Sequence, residues 1–201
     1  YWKEGAKMNK QEKVKGLAGT LYIIFKVFFW AAIIFAAAFA LGALLTVFLP
    51  SDLMKTANIE SMRLSLGSTI SFSIGDLGDV SFKPVLLAIL ISCAVALPLF
   101  AAICWQLAGI LKTVKEDRPF ADENAKRLMI IGIVLLNASW IFKVIETVTA
   151  SVIITAFSIP NISISYNIVD STILFMGLLV LILAGVFKYG SYLQNEYDAT
   201  L

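Results

Sequence analysis

The sequence predicts an all-α integral membrane protein: a four-transmembrane-helix bundle with a small extracytoplasmic β-sheet built from its two outer loops. Three observations carry this expectation. The 201 residues are 59% hydrophobic and 15% charged, where a soluble domain holds about 25% charged residues, and the mean hydropathy is +0.86. That apolar excess needs an apolar surround, which makes the lipid bilayer the first expected partner. Four runs are long enough to supply the roughly 20 apolar residues a helix needs to cross a hydrocarbon core. Both segments expected outside the membrane carry strand-like alternation.

The elements follow in order along a single membrane domain covering 1–201. Residues 1–7, YWKEGAK, stand before a natural bacterial start at Met8 and are expected to be foreign to the natural chain. Residues from about 10 to 26 read as a helix leaving the cytoplasm at the interface, where Lys26 can snorkel to the headgroups and Tyr22 and Trp30 fall at interfacial depth. The first span covers about 27–49, and its small residues, such as Ala36, Ala40 and Gly42, suit close helix packing. An outer loop over 51–84 leads to a second span over 85–111, where Pro98 should kink the helix. The inner loop is 112–127 and the third span 128–150. An outer loop over 156–170 precedes the fourth span at 171–188.

Basic residues set the orientation. With the N-terminus inside, twelve Lys and Arg fall on the inner segments and four (Lys55, Arg63, Lys83 and Lys143) on the outer side. The positive-inside rule then makes both termini cytoplasmic, and the localisation a bacterial cell membrane. In the first outer loop, Ile70, Phe72 and Ile74 alternate with Ser71 and Ser73, and Met62, Leu64 and Leu66 with Arg63 and Ser65, which reads as a hairpin. The second outer loop repeats the texture at Ile162, Ile164 and Tyr166. A lone hairpin is marginal in water, so a third strand from this loop is expected to complete the sheet. Such a sheet would serve as a ligand platform or as a lid that orders the loops.

Composition narrows the chemistry. The net charge of +2 offers no broad basic surface for direct nucleic-acid binding. No histidine is present, which removes the commonest general base and metal ligand. Cys93 and Cys104 lie in one apolar run, too far apart along a helix to bridge. No catalytic motif, cofactor loop or metal set is found, so no enzyme and no cofactor are expected. Ionisable groups within spans are functional candidates. Lys143 and Glu146, three residues apart on one helical face, are the best intramembrane polar pair. Lys143 lies about 24 Å from Arg127 along the axis, and at that depth Lys143 and Glu146 would form an ion pair at the mouth of the bundle or a transport site.

The inner loop, KEDRPFADENAKRL, is a stop and a restart. Pro119 ends the preceding helix, Asp122 and Glu123 suit the start of the next, and Phe120 is apolar in a polar stretch. This loop and the ending GSYLQNEYDATL resemble the DUF2975 family of small bacterial four-span membrane proteins. Pro119, Phe120, Asn124, Arg127 and Leu128 fit the family's loop pattern; Gly190, Leu193, Gln194, Glu196, Asp198 and Thr200 fit its C-terminal pattern. The family name records an unknown function, but members are often encoded beside a small helix-turn-helix regulator. The resemblance therefore implies a membrane protein that senses an extracytoplasmic or membrane signal and controls a cytoplasmic helix-turn-helix transcription factor. A small transporter or a bacteriocin-immunity-type protein is the alternative. The expected cytoplasmic interaction surface comprises Pro119, Phe120, Asn124 and Arg127 with Gln194, Glu196 and Asp198. In it, Arg127 would pair with a tail carboxylate, and Phe120 would plug the helix ends or dock a partner.

Overall fold

A computed structural model describes residues 2–50, 55–56, 59–66, 70–77, 80–157 and 168–199, with side chains from Glu12 onward except those of residues 51–80 and 198. Four helices dominate: α1 (Trp2–Phe48), α2 (Lys83–Lys115), α3 (Asp122–Ala156) and α4 (Ser171–Ala199). Each contains a stretch long and apolar enough to cross a membrane. The expected interfacial segment and first span are one unbroken helix of 47 residues, about 70 Å at 1.5 Å per residue. α2 likewise runs through Pro98 without interruption.

The described contacts divide the chain into two compact units, one of residues 1–33, 98–139 and 171–201, the other of residues 34–97 and 140–170. The first is a four-helix bundle by itself. Its apolar centre is Leu128, Ile131 and Ala184, packed by Leu107, Leu135, Val180 and Phe187. The largest side chains that are fully buried are Asn124, Cys104, Ser139 and Ser191, all small or polar. Phe28, Trp105, Ile182 and Val186 are exposed instead. Large apolar side chains thus face outward around a centre rich in alanine and small polar residues, which suits lipid, where apolar side chains gain nothing by leaving a hydrocarbon solvent and close backbone approach and hydrogen bonding hold helices together.

The closest such approach joins α3 to α4. A Cβ placed on Gly132 would lie 2.6 Å from Leu181 Cδ2 and 3.2 Å from the Gly177 carbonyl. One placed on Gly177 would lie 3.0 Å from Leu136 Cδ2 and 3.2 Å from the Leu136 nitrogen. Each glycine therefore opens the hole that a leucine of the other helix fills.

α2 stops by a Schellman arrangement. The Arg118 N–H donates to the Thr113 carbonyl at 2.9 Å and the Asp117 N–H to the Val114 carbonyl at 3.2 Å. Asp117 takes the left-handed position, with φ at 61°. Pro119 then prevents any resumption before α3.

In the second unit, Lys83 Nζ donates to the carbonyls of Val47 (3.1 Å) and Leu49 (2.6 Å). α1 has no basic residue in its last turn, so the start of α2 supplies the cation its C-terminal carbonyls favour. Phe82 packs edge-on against Phe157 at 5.4 Å between centroids, and Ser92 and Thr149 hydroxyls meet at 3.2 Å.

The fold class is thus all-α, and the small sheet expected from both outer loops is corrected. Among the described residues, strand pairing occurs only within 55–81, as two separate two-stranded ladders. Lys55–Thr56 pairs with Val80–Ser81, and Ile59–Leu66 pairs antiparallel with Ile70–Leu77. No described strand joins them from another segment. The expected third strand falls on residues outside the described ones. The physical reason is local: Lys83 already draws the ends of the 50–82 segment together, and pairing inside a closed segment costs less chain entropy than recruiting a distant one.

Closing either glycine hole should loosen the α3–α4 contact. Gly132→Ala and Gly177→Ala are each expected to lower stability by about 1–3 kcal/mol despite alanine's better helix propensity. The melting temperature of the purified chain in detergent checks this, and unchanged values for both variants would refute the packing role.

Candidate functional site

The α2–α3 turn is held by one buried amide. Asn124 is 0% exposed and stands in the first turn of α3, opposite the last turn of α2. Its Nδ2 donates to the Pro119 carbonyl at 2.9 Å and to Thr113 Oγ1 at 2.6 Å. The Thr113 hydroxyl has one proton, which it can give to the Ile110 carbonyl or to Asn124 Oδ1, each at 2.8 Å. Asn124 Oδ1 also accepts from Arg127 Nη1 at 3.3 Å. Such a group is costly to bury unless satisfied, and here both ends of the amide have partners.

Arg127 extends the same knot. Its Nη1 donates to the Gly109 carbonyl at 2.6 Å, and its Nη2 pairs with Glu123 at 3.1 Å. Gly109 makes the first contact sterically available, because a Cβ there would lie 2.6 Å from Arg127 Nε. The described partner of Arg127 is Glu123, one helical turn before it and in reach without any tertiary search; of the tail carboxylates expected to pair with it, the side chain of Asp198 lies outside the described ones.

Phe120 lies against α4. Its ring centroid is 5.4 Å from that of Phe187, and a Cβ on Gly190 would come within 2.9 Å of its ring. It remains 43% exposed, so it covers the gap beside α4 without being sealed in it. Ser191 Oγ donates to Asp122 Oδ1, a second tie between the restart of α3 and α4. On the rim, Lys15 and Asp117 pair at 2.6 Å. Arg118 donates to Glu116 at 2.7 Å, which holds that carboxyl below its ordinary range.

Other residues expected on this surface lie on α4. Gln194 and Glu196 are exposed on α4, and Glu196 accepts from Tyr192 at 3.2 Å. The Asp198 side chain lies outside the described ones. Pro119 contributes its carbonyl and its exposed ring. In the other unit, Lys143 and Glu146 form an ion pair at 2.7 Å. Asn137 donates to the carbonyl of Ile133, one turn back.

A cleft of about 230 Å³ opens beside Arg127 between α1, α2 and α3. α1 contributes Tyr22, Lys26 and Phe29, spaced i, i+4, i+7 along one face. α2 contributes Trp105 and Lys112, with Ala108 and Gly109 forming the floor between them. Lys26 Nζ donates to the Tyr22 hydroxyl at 3.1 Å and lies 5.4 Å from its ring centroid. Phe29 packs on Trp105 at 4.9 Å. Sequence reasoning placed Lys26 and Tyr22 at an interface but did not join them to Lys112 and Trp105. The helical spacing i, i+4, i+7 on α1 and i, i+3, i+4, i+7 on α2 was the available signal. Among the described residues, no group of three or more His, Cys, Asp or Glu could hold a metal ion.

Four apolar helices of this length define a multi-pass membrane protein. The chain belongs to the DUF2975 family, a protein of unknown function, whose model matches residues 55–201. That match contains the inner turn and the α4 extension. Comparison with curated proteins and with solved structures finds no match.

Removal of the amide should cost more than removal of any surface charge here. Asn124→Ala is expected to lower stability by about 1–3 kcal/mol, since it leaves the Pro119 carbonyl and one side of Thr113 unpartnered. Thermal unfolding in detergent reads this. A double-mutant cycle with Thr113→Val should show the two losses to be less than additive, because each removes the same contact.

Proposed function

We propose that this protein is a non-enzymatic regulator of the bacterial cell membrane, with both termini cytoplasmic. It senses an extracytoplasmic or membrane signal and controls a cytoplasmic helix-turn-helix transcription factor. The observation that supports this reading is the extension of α4. The helix continues from Lys188 to Ala199 beyond its apolar run, about 17 Å at 1.5 Å per residue. It exposes Tyr192, Leu193, Gln194 and Glu196. Phe120 and Asp122 brace its base at Gly190 and Ser191. A braced helix with exposed aromatic and polar side chains is a surface fit to be read by a protein, because little conformational entropy is lost when it is bound. The bias of basic residues toward the α2–α3 side supports placing this surface in the cytoplasm.

Two measurements test the reading. With Cys93 and Cys104 replaced, single cysteines at Ser73 and Lys126 should differ toward an impermeant thiol reagent on intact cells, Ser73 being labelled and Lys126 protected. Labelling of Lys126 alone would reverse the orientation. A helix-turn-helix protein encoded beside this chain, where one is found, should also co-purify with it. Leu193→Ser with Tyr192→Ser should abolish capture at an unchanged melting temperature. Phe120→Ala should weaken both properties, because its ring supports α4. Capture that survives the α4 double variant would remove the partner surface from α4.

A further inference from the structure

We propose that the cleft between α1, α2 and α3 is a binding site for the phosphate headgroup of an anionic membrane phospholipid. The inference goes beyond the regulatory reading and does not depend on it.

Charge is the first argument. Lys26, Lys112 and Arg127 line one cavity. Arg127 has an ion-pair partner in Glu123, which is largely exposed. Among the described residues, no carboxylate pairs with Lys26 or Lys112, and Lys26 is bonded only to the neutral Tyr22 hydroxyl. Glu116, already bonded to Arg118, also acts at longer range on Lys112 and Arg127, so the cluster holds three cations against two rim carboxylates and keeps an excess of positive charge where lipid and protein lower the dielectric. An anion between them offsets that excess. A guanidinium held by the Gly109 carbonyl and the Asn124 amide is also already oriented before any ligand arrives.

The order of groups along the cleft is the second argument. α1 and α2 run antiparallel here. Residues 22, 26 and 29 ascend while residues 112, 109 and 105 descend, so the aromatic pair Phe29–Trp105 marks one end. The lysine–arginine cluster lies toward the helix termini. Trp105 is more than half exposed, as are Val27 and Ile23 on the adjoining face of α1. A phospholipid presents the same sequence of chemistry across the interface, an anionic headgroup followed by hydrocarbon. A free inorganic phosphate would use the cations and leave the aromatic wall unused. A water's share of liquid volume is about 30 Å³, so a cleft of about 230 Å³ accommodates a phosphodiester with its glycerol while the acyl chains lie outside along Phe28 and Trp105. Basic pockets between transmembrane helices are a known way of holding such headgroups.

The test is native mass spectrometry of the full chain titrated with phosphatidylglycerol or phosphatidylcholine in detergent. Wild type should retain phosphatidylglycerol in preference to phosphatidylcholine. Lys26→Gln with Lys112→Gln should weaken that retention roughly tenfold or more, and the corresponding arginine pair should restore it. Lys126→Gln with Lys188→Gln removes the same charge elsewhere and should leave retention unchanged. Gly109→Ala keeps every charge but displaces the guanidinium, and should weaken retention severalfold. Melting temperatures without lipid confirm that each variant is folded. Equal loss in the Lys126–Lys188 variant would reduce the effect to general surface attraction and overturn the site. So would displacement of the lipid by millimolar inorganic phosphate, which would make it a free-phosphate site.

Discussion

A polar group sealed away from water must find its hydrogen bonds inside the protein. At the α2–α3 turn, Asn124 answers that constraint. Its amide takes up the Pro119 carbonyl, the Thr113 hydroxyl and one arm of Arg127 within a single buried side chain. The turn can therefore be short, with α2 ending at Lys115 and α3 beginning at Asp122. A short turn brings the last face of α2 against the first face of α3. Gly109 then meets Arg127, and one wall of the cleft is set. Replacing the amide by an apolar group would leave the same backbone geometry without the bonds that make it favourable.

The rest of the first unit follows a related economy. Its buried positions hold mostly alanine with Asn124, Cys104, Ser139 and Ser191, while large side chains such as Phe28, Trp105 and Ile182 face outward. Packing there is a matter of holes and fillers. Gly132 and Gly177 receive Leu181 and Leu136, and Gly190 receives Phe120. The glycines carry no conformational demand at these sites. They are needed because a methyl group would occupy the space of a neighbour's side chain.

Much of this was legible in the sequence, for reasons specific to each feature. The four helices were readable because a bilayer imposes a length on apolar runs that little else satisfies. The stop and restart around Pro119 were readable because proline and paired acids act locally. Lys143 and Glu146 meet because a three-residue helical spacing alone brings them together. The Arg127–Glu123 pair was missed because attention went to carboxylates about seventy residues away, while a glutamate four residues off needs no tertiary contact. The sheet failed in the same direction: alternation marks a strand but says nothing of which strand it pairs with, and the described pairing stays within one segment. The cleft escaped notice because it depends on which faces of α1 and α2 meet, and periodicity gives a face without giving its neighbour.

Arg127 belongs both to the turn and to the cleft. A guanidinium has five donors in a fixed plane. Gly109, Asn124 and Glu123 take those directed along the turn. The same three contacts fix the plane's orientation, so the face it presents to the cleft is set by the fold. A lysine at this position could supply the charge, but it could not span the Gly109 carbonyl, the Asn124 amide and Glu123 at once. The residue that locks the turn therefore also determines where positive charge stands beside α1. Lys26, about three helical turns along α1 from Lys15, which pairs with Asp117 at the turn, adds to that charge without sharing in the lock. Structural and electrostatic roles separate along this line: Asn124 and Gly109 hold the position, Lys26 and Lys112 supply field, and Arg127 does both.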